Sequence, residues 1–154
     1  MSLNHDFILA ETESTREYCF WEKMKKDADR VVLHDDIVSY IYDSLLWIPV
    51  YNGGTARQEK MEGFNRYGVS IYKIDAAQKI INIFGAWALL FAQGDEVLRL
   101  TGGYSFECDN PSAGGYEKIE IARNVLIETC LKLAHYGEQV LESQGDLCIV
   151  HLGV

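Results

Sequence analysis

Residues 84–110, FGAWALLFAQGDEVLRLTGGYSFECDN, change period midway, and this change limits the fold more than any other feature. Upstream, Ile80, Ile83, Phe84, Trp87, Leu90 and Phe91 recur at helical spacing within DAAQKIINIFGAWALLFAQ. Almost nothing polar follows Asn82, so the pattern predicts a deeply buried central helix. Gly85 inside it costs up to about 1 kcal/mol relative to alanine, which close backbone packing would explain. Downstream of Gly94-Asp95 the period drops to two. Val97, Leu98 and Leu100 read as a strand, Thr101-Gly102-Gly103 as a break, and Tyr104, Phe106 and Cys108 as the core face of a second strand. Ser105 and Glu107 are expected to face solvent.

The glycine pair raises the question of a phosphate loop. No helix N-terminus follows it, so the free N–H groups and favourable dipole such a loop needs are missing. Between Gly94 and Glu120 there are six acids (Asp95, Glu96, Glu107, Asp109, Glu117 and Glu120) against Arg99 and Lys118. A phosphate would be repelled, and a bend or bulge in an antiparallel sheet is the better reading.

The flanking segments complete an α+β pattern. In LHDDIVSYIYDSLLWIPVYN, Asp35 or Asp36 reads as a helix cap, and Pro49 ends the helix. A polar loop follows over 53–66, then the strand RYGVSIYKI. Asp109 to Gly115 reads as a loop and YEKIEI as a strand. Ala122, Leu126, Thr129, Leu133, Tyr136 and Val140 define a long helix stopped by Gly145. DLCIVHLGV suits an interior strand. The expectation is one α+β domain over 1–154, with a mixed or antiparallel sheet against a buried central helix and a long C-terminal helix. Residues 1–30 read as a peripheral N-terminal segment, with a loose aromatic-faced helix in Glu11–Arg30. Met1-Ser2-Leu3 is compatible with an expression leader.

Charge narrows the partners. The chain carries 23 acidic against 14 basic side chains, a net charge of -9, which argues against nucleic acid and suits a basic protein. The start lacks a basic region followed by an apolar one, and the apolar stretch Ile80–Ala92 is short for a bilayer, so a soluble cytoplasmic protein is expected, with no membrane partner. Cys19, Cys108, Cys130 and Cys148 form no C-x-x-C pair, so neither a metal nor another cofactor is expected. Cys130 and Cys148 read as small buried hydrophobes.

Reactive motifs are missing: no G-x-S-x-G, H-E-x-x-H, P-loop or G-x-G-x-x-G occurs. His34-Asp35-Asp36 lacks a second ligand pair at helical spacing. His151, alone among apolar residues, reads as a structural histidine that needs a partner if buried. These observations point away from an enzyme and toward a binding protein. The alternative is a small enzyme or ligand-binding domain with a pocket near Trp87, Tyr104 and His151. Self-association as a homodimer, through a sheet edge or helix, stays open.

The segment YGVSIYKIDAAQKIINIFGAWALLFAQGDEVLRLTGGY, with SLLWIPVYN before it and the ending LESQGDLCIVHLGV, resembles small bacterial immunity proteins. Such proteins accompany the polymorphic toxins of contact-dependent growth inhibition and related systems. The resemblance runs through residues 35–154. It implies a cytoplasmic protein that blocks one cognate toxin, often a nuclease with a basic active site, without catalysis. Interfaces in such proteins are matched to individual toxins, so no binding residues carry over. Charge alone nominates Asp95, Glu96, Glu107 and Asp109 on the sheet rim, then Asp35 and Asp36, with Tyr72 or Tyr104 as an aromatic anchor if either faces outward.

Overall fold

The two ends of the chain meet in the middle of a sheet. In the computed structural model, which describes residues 3–27 and 29–154, strand β1 (Asn4–Glu11) pairs antiparallel with β8 (Leu147–Leu152). Met1 and Ser2, on which the leader reading falls, lie outside the described residues, as do the side chains of Lys26, Asp27, Glu107 and Pro111. β1 also pairs with β2 (Arg30–His34), and β8 with β5 (Val69–Tyr72). β3 (Val50–Asn52) and the two-residue β4 (Lys60–Met61) complete the order β2-β1-β8-β5-β3-β4, antiparallel throughout. The expectation that residues 1–30 are peripheral is therefore wrong. Residues 4–11 form an interior strand, and its apolar run Phe7-Ile8-Leu9-Ala10 is continuous because both faces of the sheet are covered.

The covering differs on the two faces. Ile8 and Ala10 of β1 and Cys148, Val150 and Leu152 of β8 point to a small cluster closed by Phe20 of α1 (Phe20–Asp27). Phe7 and Ile149, one residue out of phase, join the main core. That core is roofed by α2 (Asp35–Tyr40), α3 (Tyr42–Leu45), α4 (Ile74–Phe91) and α5 (Arg123–Glu142). A void of about 10 Å³ inside it is too small for a ligand. Cys130 and Cys148 are fully buried, and burial pushes their thiols up to about 12 and about 11.

Three local expectations change. The helix read over 35–46 is two pieces, parted at Ile41 (φ -100°, ψ 8°). Its cap is His34, whose ring accepts from the backbone N–H of Asp36; Asp35 and Asp36 stand in the first turn instead. α4 is central and buries Ile80, Phe84, Ala88 and Phe91, but Leu89 and Leu90 on its other side are exposed. By length and mean hydropathy (18 residues, 1.3) α4 reaches the lower bound for a membrane span, although its inner face packs as a core helix does.

Gly85 has open space around its Cβ position and makes no close approach. The tight glycine is Gly137 on α5. A Cβ there would lie 2.9 Å from Ile81 Cγ1 and 3.0 Å from the Ala77 carbonyl oxygen, so its absence lets α4 and α5 close together. α5 ends in left-handed backbone at Gln144 and Gly145.

The remaining two strands leave the body. β6 (Val97–Glu107) and β7 (Asn110–Ala122) form a separate two-stranded ribbon. The loop expected at Asp109–Gly115 is mostly strand, because only Cys108 and Asp109 turn the chain. The bulge reading of Gly102-Gly103 holds: the register shifts between Thr101 and Tyr104. A Cβ on Gly102 would approach Glu117 Cβ to 3.0 Å, so glycine lets the strands close there. Leu98 is buried at the ribbon's root, and Leu100, Ile119 and Ile121 lean on the core. The root is also tied by the Arg123 N–H donating to the Glu96 carbonyl (2.9 Å) and Arg123 Nη1 donating to that of Gly94 (2.7 Å). Beyond the bulge the ribbon leaves the core.

Candidate functional site

The acids nominated from sequence do not form one rim. Asp95 and Glu96 are exposed at the root of the ribbon, and Asp109 is exposed at its tip. At about 3.3 Å per residue these positions lie on the order of 35 Å apart. Glu107 adjoins the tip, its side chain outside the described residues. Asp35 and Asp36 lie elsewhere, at the start of α2, in a cleft of about 440 Å³ that faces Gly102, Gly103 and Glu117 of the ribbon.

Tyr104 and Phe106 were expected to face the core. They are 55% and 60% exposed, and Tyr116 on the opposite strand is 66% exposed. The physical reason is that a two-stranded ribbon has no second layer beyond its root, so alternation there marks a strand without marking a buried face. Tyr104 and Tyr116 pack edge to face at 5.1 Å. Tyr72, the other nominated anchor, is buried.

Asp35 is the acid with the most built surroundings. It accepts Arg66 Nε at 2.9 Å on Oδ1 and Arg66 Nη2 at 2.6 Å on Oδ2, a bidentate pair. Arg66 also donates to Ser39 Oγ. His5 Nε2 lies 2.8 Å from Asp35 Oδ1, and His5 Nδ1 lies 2.8 Å from His151 Nε2. Hydrogen bonding to Arg66 holds the Asp35 carboxyl below its ordinary range; partial burial opposes this and His5 adds to it. Arg66 is correspondingly raised by its bond to Asp35.

This geometry fixes the protons of neutral rings. A carboxylate only accepts, so His5 Nε2 donates to Asp35. His5 Nδ1 is then an acceptor, and His151 Nε2–H donates to it. His151 Nδ1 is left as a lone pair without a donor, and it has no hydrogen-bond partner. Both rings are fully buried. Burial, and then the charge on His5, lower His151 to about 3. The need for a partner, read from sequence, is met by a histidine 146 residues away.

The chain Arg66–Asp35–His5–His151 clasps the loop before β5, α2 and the two central strands. Its polar atoms face one another, with none left to attack a molecule in the cleft. The expected pocket near Trp87, Tyr104 and His151 does not form. Trp87 donates to Ser44 Oγ (2.9 Å) beside an open groove, Tyr104 stands on the ribbon, and His151 is sealed in the sheet. Among the described residues, no group of three or more His, Cys, Asp and Glu is placed to hold a metal ion. No family model, curated protein or solved structure matches the chain.

His5, Arg66, Phe106, Tyr116, Tyr40 and Trp47 are the residues that sequence reasoning missed. For the first two, no local spacing signals the contact. Trp47 carried a signal, since a large aromatic just before the helix-ending Pro49 sits at a surface turn, and it is 64% exposed.

Proposed function

We propose that this chain is a binding protein of the immunity type, which neutralises a basic toxin domain by covering it, without catalysis. One observation carries the reading: the outer half of the β6–β7 ribbon holds Tyr104, Phe106 and Tyr116 exposed, off the core. Fully burying a large apolar side chain contributes roughly 1.5–3 kcal/mol, and the fold forgoes that at three neighbouring positions. Exposed aromatics grouped in this way supply anchors for a protein interface. Asp109 at the tip and the net charge of -9 supply steering toward a basic surface.

The resemblance to immunity proteins supports the same reading and names the partner class. The test is co-expression with a candidate toxin domain encoded beside the gene. Growth is expected to be rescued by the intact chain through a stable one-to-one complex. Absence of both rescue and complex would remove the proposal.

A further inference from the structure

Three depressions on one side of the molecule share walls. An almost wholly apolar groove of about 300 Å³ lies between α3 and α4, walled by Trp47, Ile83, Ala86, Trp87 and Leu90. Lys79 Nζ donates to the Trp47 carbonyl (2.8 Å) and holds that end in place. A second depression, about 430 Å³, runs along the root of the ribbon; it reuses Leu90 and adds Tyr40, Phe91 and Asp95. The third is the α2 cleft, which reuses Tyr40. Tyr40, Trp87 and Phe91 pack together at 5.2 to 6.4 Å between ring centroids and form the shared wall.

Charge is graded along this track. The apolar end has no charged wall residue. Further along, both arginines on the wall are already neutralised, Arg66 by Asp35 and Arg99 by Glu120 at 3.2 Å. The carboxylates of Asp36, Asp95 and Glu117 remain for a partner. A second copy of the chain suits this poorly, because two bodies of charge -9 repel.

We infer that the track from Trp47 to Glu117 docks one segment of a protein partner, with a large apolar side chain seated between α3 and α4 and an arginine or lysine in the α2 cleft. This rests on the reading of the chain as a binder of a basic protein. An apolar anchor with flanking charge is how grooves of this kind recognise a segment.

The test is selection of a random linear peptide library on the immobilised full chain, followed by titration of enriched peptides. Enriched peptides are expected to carry both an aromatic or large aliphatic residue and Arg or Lys. Leu90→Asp and, separately, Trp47→Ser are expected to weaken them by roughly tenfold or more. Asp36→Asn with Glu117→Gln is expected to weaken them several-fold and flatten their salt dependence. These side chains are partly or well exposed, and circular dichroism checks that each variant folds. No enrichment, peptides without basic residues, or binding indifferent to both sets of changes overturns the inference. So does a dimer in sedimentation that Leu90→Asp dissolves. Rescue from a toxin that groove variants still provide overturns the track and leaves the binding reading standing. Specific peptides on a chain that rescues from nothing do the reverse.

Discussion

The β1–β8 pair and the β6–β7 ribbon are both antiparallel, and both carry aromatics, yet they treat them in opposite ways. In the first pair Phe7 sits beside His151, 4.9 Å between centroids, sealed under helices. In the second, Tyr104 packs on Tyr116 in the open. The first region spends its side chains on stability and even buries two histidines to do so. The second adds little to stability beyond its root and leaves its side chains for something outside the chain. Substitutions should therefore separate folding from binding.

The largest effect on folding is expected in the clasp. His5→Ala opens a cavity and strands the buried N–H of His151, costing roughly 3–5 kcal/mol in urea denaturation. A loss below about 1 kcal/mol would show that the clasp is incidental.

Acid should act on the same place. An unfolded histidine titrates near its ordinary 6.5, whereas folded His151 is lowered to about 3. Between those values the unfolded chain binds the extra proton, so the stabilisation is complete above pH 6.5 and is lost as pH falls. At pH 4.5 the loss from this residue is about 2–3 kcal/mol. Asp35, also lowered, adds its own loss once pH drops below its ordinary 3.8. Denaturation across this range should lose the His151 part of the slope in His151→Gln.

Smaller effects distinguish two glycines. Gly137→Ala forces α5 away from α4 and should cost roughly 1–3 kcal/mol. Gly85→Ala meets nothing and should stabilise by up to about 1 kcal/mol. Thermal melts that rank these two the other way would contradict the packing described. Smallest of all, Tyr104→Ser with Phe106→Ser should change stability by no more than about 0.5 kcal/mol, because neither side chain leaves the core. A large drop in melting temperature would place the ribbon with the body.

The sequence announced β5, α4, α5 and β8 because each keeps one period over its whole length. It hid β1, where Phe7, Ile8 and Leu9 follow one another without alternation because both faces are covered. It hid the clasp because His5, Asp35, Arg66 and His151 are brought together only by strand order. The ribbon was half legible. Alternation found its strands and the glycine pair its bulge, but alternation cannot say whether a layer lies beneath. That is why Tyr104 and Phe106 were assigned to the core, and why Asp95 and Asp109 looked like neighbours.

The claim that matters most is that the ribbon is kept for a partner. It is tested most directly by growth rescue on co-expression with the neighbouring toxin domain, comparing the intact chain with Tyr104→Ser/Phe106→Ser at matched expression. The account expects rescue by the intact chain, and its loss in the variant with an unchanged melting temperature. Full rescue by a variant stripped of both aromatics would contradict it.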